Sequence, residues 1–400
     1  MDVESAIKVL EDLPGQPEQV KELSPALRQR ILALAKNLPS VVLTPEQIAF
    51  MQIFETPPRQ FAIRMAVDLR IFHILVERAG TPISSADLAA QCGAEEVLVV
   101  RIMRVVTGAG YAEESGAREY VATRMSRAMV VPHIEAFAAH VYEASARSCN
   151  RMPEYFKTHG YKNPTDDLKG PAQYALGTDL HFFEYLHQDP VKAERFNICM
   201  TGSKAGLRFW FEWFPVTEHL VNSFKASGSE PGTPFLVDLG GGIGLHVRKL
   251  LAANPEAEPL VLQDLPGTIT KAKDLDSRIR PMVHDFFTPQ PIQGAYLYYT
   301  RLVLHDWPDE RCRTLLKATA AAMKPGFSRI LLNETIIPEK DCPPLLAAAD
   351  ITMMSLLAGM ERTKQQWIDL VESSGLRVVK IWHSPDFRDL EGVIECEVPR

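Results

Sequence analysis

The sequence predicts an α/β protein: a doubly wound, mostly parallel sheet with an antiparallel last strand, preceded by a mainly helical region. Three observations lead there. From Phe235 onward, short apolar runs alternate with helical stretches, the rhythm of strand–helix–strand units. The first of those runs ends in a glycine-rich turn, FLVDLGGGIG at 235–244, which opens a helix. Up to about Asn222 the apolar periodicity is instead helical.

The chain opens with MDVESAIKVLEDLPGQ, which has no basic start followed by an apolar core and so does not read as a signal peptide. No apolar run reaches the roughly 18 to 20 residues that span a bilayer, and a membrane role is not expected. Further on, Ser84 or Ser85 can cap a short helix that ends near Gly93. A second helix runs from Glu95 to about Thr107, and GYAEESGAREYVAT then reads as a two-stranded hairpin. Helix, turn, helix, hairpin is the winged-helix pattern, here within about 45–135. Its second helix carries Val97, Leu98, Val99, Val100, Ile102, Met103, Val105 and Val106, with Arg101 and Arg104 as its cations. Such an apolar helix packs inside a protein or a dimer rather than in a DNA groove. The net charge of -7 also argues against a general nucleic-acid binder.

A loop dense in Ser, Gly and Pro, SFKASGSEPGTP at 223–234, divides the chain into a helical region, 1–222, and a sheet region, 235–400. Candidate strands in the sheet region begin at 235, 259, 279, 295, 329, 376 and 392. The last two lie too close for a helical crossover, so they pair as an antiparallel hairpin. With 400 residues, 46% hydrophobic and 23% charged, the chain has the composition of an ordinary globular protein of two domains. Its six cysteines are scattered, with no metal or redox spacing. They read as free thiols of a reducing, cytoplasmic setting.

The glycine turn sits at the carboxyl end of the first strand, where such sheets bind ligands. Its spacing is Gly240-x-Gly242-x-Gly244 with Leu245 next, so it is neither G-x-G-x-x-G nor a P-loop. It suits a ligand whose uncharged or cationic part touches bare backbone better than a pyrophosphate. Asp264, at the end of the next strand, can accept two ribose hydroxyls. Asp285 ends the strand after that and can accept from an adenine amino group, with Phe286 stacking on the ring. The bland alternative is that Asp264 and Asp285 merely cap helices.

The motifs LVDLGGGIG, LQDLPG, HDFF, LVLHDWPDERC, LLNETIIPE and GMERT resemble those of S-adenosylmethionine-dependent O-methyltransferases of small-molecule metabolism. Both the plant caffeic-acid type and the fungal polyketide type share them, and HFFEYLHQDPVKAERFNICM at 181–200 fits as well. The resemblance covers about 50–400. It implies a Rossmann-like methyltransferase sheet, a winged-helix dimerisation domain, and a homodimer whose amino-terminal helices help close the partner's pocket. It also implies that Gly240, Gly242, Asp264, Asp285 and Phe286 bind S-adenosyl-L-methionine. His305 would be the general base that deprotonates a hydroxyl, held and polarised by Glu334 and Glu361. Where the plant enzymes carry a cofactor-touching lysine, this chain has Arg301, expected here as a cofactor contact.

The base needs that help. A phenol titrates near ~10 and an imidazole near ~6.5, so full proton transfer is uphill by roughly 5 kcal/mol. A carboxylate on the other ring nitrogen raises imidazole basicity and fixes its tautomer. Methyl transfer itself demands alignment of oxygen, carbon and sulfur and no metal. His305, Asp306 and Asp309 lack the further ligands of a metal set. Met200, Phe183, Met353 and Met354, with Phe182, Phe209, Trp210 and Trp213, are expected to line a pocket for a flat apolar phenol or polyketide-type acceptor, the bland alternative being that they are plain core. The alternative is an enzyme of this fold that keeps the cofactor as a fixed charge and guides a pericyclic or dehydrative step. Such an enzyme has no need of a hydroxyl-facing histidine, so His305, Glu334 and Glu361 together favour methyl transfer.

Overall fold

A computed structural model describes residues 25–202, 208–385 and 391–400. The opening 24 residues, read above for a signal, lie outside it. No described helix is long and apolar enough to cross a membrane.

The helical region begins with two helices, Pro25–Asn37 and Pro39–Val42, and then α1, Pro45–Asp68. Thr44 and Gln47 form a capping box at the start of α1, each side chain bonding the other's backbone N–H. The winged helix follows as expected, with one strand the sequence reading omits. β1 (Ile83–Ser84) leads into α2 (Ser85–Cys92), capped by the Ser84 hydroxyl and ended by Gly93 at φ 64°. Next come α3 (Glu96–Gly108), β2 (Ala112–Gly116) and β3 (Glu119–Ala122). β1 pairs with β3, a two-residue contact too short to leave a periodicity in sequence. Val99, Ile102, Met103 and Val106 of α3 lie fully inside this core. α4 (Pro132–His140), a π-helical turn at Val141–Ala146, α5 (Arg147–His159) and α6 (Pro190–Thr201) carry the chain towards the sheet.

All seven expected strands form. They are β4 (Leu236–Leu239), β5 (Leu260–Asp264), β6 (Ile279–Val283), β7 (Leu297–Arg301), β8 (Arg329–Ile337), β10 (Arg377–His383) and β11 (Glu391–Glu397). A two-residue β9 (Arg362–Thr363) adds to β8. The order is β6-β5-β4-β7-β8-β11-β10, parallel from β6 to β8, with β11 and β10 antiparallel. The last hairpin thus inserts β11 between β8 and β10. Helices α7 (Leu245–Ala253), α8 (Asp309–Ala322), α9 (Pro344–Leu357) and α10 (Lys364–Glu372) follow their strands.

Two apolar layers bury the sheet. One holds Leu315, Leu316, Trp367 and Val371 of α8 and α10. The other holds Leu250 and Leu251 of α7 together with Trp210, Phe214 and Leu220. Trp210, read as a pocket residue, therefore belongs to the core, its ring stacked on Tyr299 at 5.3 Å. Phe209 and Trp213 pack against that same layer. Within the segment read as a linker, 223–226 continue a short helix, Asn222–Ala226, and loop residues follow.

Candidate active site

Chain order reverses between β4 and its neighbour β7, and a crevice forms at the carboxyl ends of the strands there. Parallel pairing brings five strand ends to that edge: the glycine turn after β4, Asp264 after β5, Asp285 after β6, Arg301 and His305 after β7, and Glu334 near the end of β8.

The glycine turn is built for close approach. Gly240 and Gly242 take φ of 71° and 62°, a region that penalises a side chain. A Cβ on Gly241 would lie 2.4 Å from Asp238 Oδ2 and 2.5 Å from Leu262 Cδ1, whereas one on Gly242 would meet nothing. The turn is thus tight against the protein at Gly241 and open at Gly242. The Gly242 N–H donates to Asp264 Oδ2 at 2.8 Å, and the Leu265 N–H donates to Oδ1 at 2.7 Å. Each oxygen keeps acceptor capacity for a diol. Asp285 Oδ1 accepts from the Phe287 N–H at 2.9 Å, and the Phe286 ring faces the position of a Gly240 Cβ at 3.2 Å.

Beneath the turn lies Asp238, two residues before Gly240, which sequence reading passed over. It is 2% exposed, and its Oδ2 has no hydrogen-bond partner among the described residues. Burial, with Asp264 nearby, pushes its carboxyl up to about 8. A buried acid without a donor beside an open backbone turn fits a cationic ligand. Arg301 is placed differently from a simple cofactor contact. Its guanidinium forks onto Glu391 of β11, at 3.0 and 2.7 Å, and the pair is largely buried.

His305 sits in a short 3-10 turn after β7. Its Nδ1 lies 2.8 Å from Glu361 Oε1, and its Nε2 lies 3.4 Å from Asp306 Oδ1. Burial opposes a charge on the ring, but Asp306 and Glu361 outweigh it and hold His305 above its ordinary value. Glu334 does not bond the imidazole. It is fully buried, and its Oε1 accepts the Val303 and Leu304 N–H groups at 3.1 and 2.9 Å. It therefore holds the loop that carries His305, and burial pushes its carboxyl up to about 7. The ring's two carboxylate neighbours are Glu361 and Asp306. The sequence reading weighed Asp306 only as part of a metal set; among the described residues no cluster of His, Cys, Asp and Glu fit for a metal forms.

The segment carrying Glu361 is clamped to this loop. The Met360 N–H donates to the His305 carbonyl at 2.9 Å, and a Cβ on Gly359 would lie 2.2 Å from that same oxygen. Arg362, 1% exposed, donates to the carbonyls of Leu304, Trp307 and Met360 and pairs with Asp309 at 2.8 Å. One guanidinium thereby ties both sides of the His305–Glu361 contact.

Of the expected acceptor residues, Phe183 lies 6.5 Å from the Trp307 ring and 5.8 Å from Phe196. Met353 packs with Phe182 and Leu186. Met354 is half-buried on α9, and Met200 is 45% exposed on α6. A separate cavity of about 1120 Å³ opens between α1, the π-helical turn, α5, α6 and α9.

Comparison with known proteins identifies the two domains. Residues 166–377 match the model of an O-methyltransferase domain, and 53–132 that of an O-methyltransferase dimerisation domain. The O-methyltransferase penC of Penicillium thymicola is 37% identical over 370 residues, covering 92% of this chain and 91% of that protein. Demethylsterigmatocystin 6-O-methyltransferase of Aspergillus flavus is 34% identical over 325 residues, covering 81% and 82%. The structure of LepI in complex with SAM superposes with a TM-score of 0.86 at 26% identity, covering 99% of this chain and 100% of LepI; a structure of equal likeness is described as a pericyclic reaction enzyme. The glycine turn, the strand-end acids, the two matching domain models and the full-length relatives place this chain in the family of S-adenosylmethionine-dependent O-methyltransferases.

Proposed function

We propose that this chain methylates a phenolic hydroxyl of an aromatic or polyketide-type secondary metabolite in the cytosol, with His305 as general base. The observation that carries the reading is the contact at 2.8 Å between His305 Nδ1 and Glu361. A carboxylate there keeps the proton on Nδ1 and turns Nε2 into the acceptor. Asp306, at 3.4 Å, is too far for a good hydrogen bond and leaves Nε2 able to take the proton of an acceptor hydroxyl. Glu334 and Arg362 hold the loop so that the ring keeps this aim.

Gly240, Gly242, Asp264, Asp285 and Phe286 would hold the cofactor, with the unpartnered Asp238 below them facing its cationic end. When bound, S-adenosylmethionine supplies an electrophilic methyl group and a positive charge that disfavours a second charge on His305. The chain's own residues then align the hydroxyl and accept its proton while water is excluded by Phe183, Phe286 and Trp307. Arg301, paired with Glu391, would support the cofactor side of β7 through that ion pair. The dimerisation domain makes a homodimer the working form.

A second reading has its own support. The likeness to LepI and the raised basicity of His305 both suit an enzyme that holds a cation beside a polyketide and guides a pericyclic or dehydrative step. Incubation with methyl-labelled cofactor and a fungal metabolite extract separates the two by mass spectrometry. A product heavier by one labelled methyl group supports methyl transfer. A rearranged or dehydrated product without label, formed only when cofactor is present, overturns it.

A further inference from the structure

Two polar side chains of the 1120 Å³ cavity wall, Ser145 and His140, have no hydrogen-bond partner among the described residues. The Ser145 hydroxyl, on a residue 6% exposed, has no hydrogen-bond partner among the described residues. The His140 ring, on a residue 8% exposed, makes aromatic contacts with Phe182 and Phe196 but no hydrogen bond among the described residues. A buried hydroxyl is usually paired, so the unpartnered Ser145 Oγ, with the His140 ring beside it on the same wall, points to a ligand. Both flank or occupy the π-helical turn Val141–Ala146, a distortion frequent at functional sites.

The cavity wall also says what the ligand is not. Burial keeps His140 neutral by lowering its pKa. Glu143 on the same wall is clamped between Arg64 and Arg195, at 2.7 and 2.5 Å. Lys192 pairs with Asp189. Among the described residues, the lining cation without an ion pair is Arg147, which is exposed at the rim. The interior therefore offers neutral donors and acceptors, not an unmatched charge.

Its position relates it to the base. His140, Phe196, Phe183 and Trp307 form a row of rings with centroid steps of 5.3, 5.8 and 6.5 Å. Trp307 lies two residues beyond His305. α9 lines the cavity through Ala347, Ala348 and Ile351, and the chain runs from its end directly to Glu361. The volume is at or above the upper end of the roughly 300–1,000 Å³ that holds drug-sized ligands.

We propose that His140 and Ser145 are specificity-determining residues that bind the far, uncharged polar edge of an elongated multi-ring acceptor, whose reacting hydroxyl lies at His305. This rests on the proposed methyl transfer for the identity of the reacting end. The acceptor class it assigns is a neutral, planar, fused-ring phenol that carries a carbonyl or hydroxyl on the ring remote from the methylated position.

Calorimetry of the full chain loaded with S-adenosylhomocysteine tests this without turnover. The probes are chrysophanol (a neutral three-ring phenol with quinone carbonyls), rhein (the same rings with a carboxylate) and orcinol (one ring). Chrysophanol is expected to bind at least tenfold tighter than either of the others. His140→Leu and Ser145→Ala are expected to weaken chrysophanol five- to fiftyfold while leaving orcinol and S-adenosylhomocysteine unchanged. His140→Gln, which keeps a donor and an acceptor, is expected to restore most of the loss. Equal affinity for one and three rings, tighter binding of rhein, or variants that bind chrysophanol as well as wild type does would overturn the proposal. Loss of S-adenosylhomocysteine binding in the wild-type chain would instead overturn the underlying methyltransferase reading.

Discussion

At the scale of single residues, the ionisable groups of the crevice make the sharpest predictions. His305→Ala is expected to lower methyl transfer by about 10²- to 10⁴-fold, the usual cost of losing a general base, with S-adenosylhomocysteine affinity unchanged by calorimetry. Turnover like that of wild type would show the base to lie elsewhere. Because Asp306 and Glu361 raise the pKa of His305, the reactive neutral ring is favoured as pH rises. Removing one carboxylate lowers that pKa. Asp306→Asn is therefore expected to move the acid limb of the kcat–pH profile to lower pH, and a limb that stays in place or moves up would refute the coupling. Asp238 gives a stability prediction of definite sign. Burial pushes its carboxyl up to about 8 in the folded chain, above the ordinary carboxylate range, so the folded chain binds the extra proton and loses stability as pH rises from that range towards 8. Asp238→Asn should flatten the fall in thermal midpoint between about pH 5 and pH 8. The sequence put His305, Glu334 and Glu361 in one reaction, but it could not divide their labour. Glu334 serves the backbone of 303–304, and the second carboxylate at the ring is the adjacent Asp306.

At the scale of elements, the site depends on two close approaches of backbone. Gly359 lets one loop meet the His305 carbonyl, so Gly359→Ala inserts a methyl at 2.2 Å from that oxygen. Overpacking of this kind costs about 1–3 kcal/mol or more. A lower denaturation midpoint and a kcat at least tenfold down are expected together; an unchanged kcat would separate the clamp from catalysis. Arg362 reaches three carbonyls and Asp309 with one planar fork, which a lysine cannot reproduce. Arg362→Lys should lower kcat more than it raises KM, because it disturbs the aim of the base rather than acceptor binding. The signal for Arg362 was in the sequence, directly after Glu361. Nothing in the sequence distinguished it from a surface cation, because its burial arises only when β9 joins β8. The strands themselves were legible, since β4, β5 and β7 are short, mostly apolar, buried runs, as parallel strands covered on both faces tend to be. The two-residue strands β1 and β9 were not, because they contain no full period.

At the scale of the whole molecule, the dimerisation domain and a large apolar surface belong together. Phe50, Ile53 and Phe54 of α1 are 67%, 76% and 66% exposed, and Val41 and Val42, before α1, are 76% and 79% exposed. Sedimentation is expected to show a dimer, and Phe54→Asp with Ile53→Asp should shift it towards monomer; a wild-type chain that sediments as a monomer would refute this. α1 also supplies Thr56, Pro57 and Gln60 to the cavity wall, so the same double variant should weaken acceptor binding.

The sequence by itself determined the helix–turn–helix–hairpin segment, the seven expected strands of the main sheet, the glycine turn and the identity of the acids at the strand ends. Those features are local: apolar periodicity, turn chemistry and position at a strand terminus are all written within a few residues. Only the tertiary structure decided which carboxylate touches which nitrogen, that Trp210 is core, and that His140 and Ser145 line an open cavity. Each of these depends on residues far apart in the chain meeting in space. Whether a polar side chain is paired, buried or aimed at a ligand is set by those distant neighbours and not by its own sequence context.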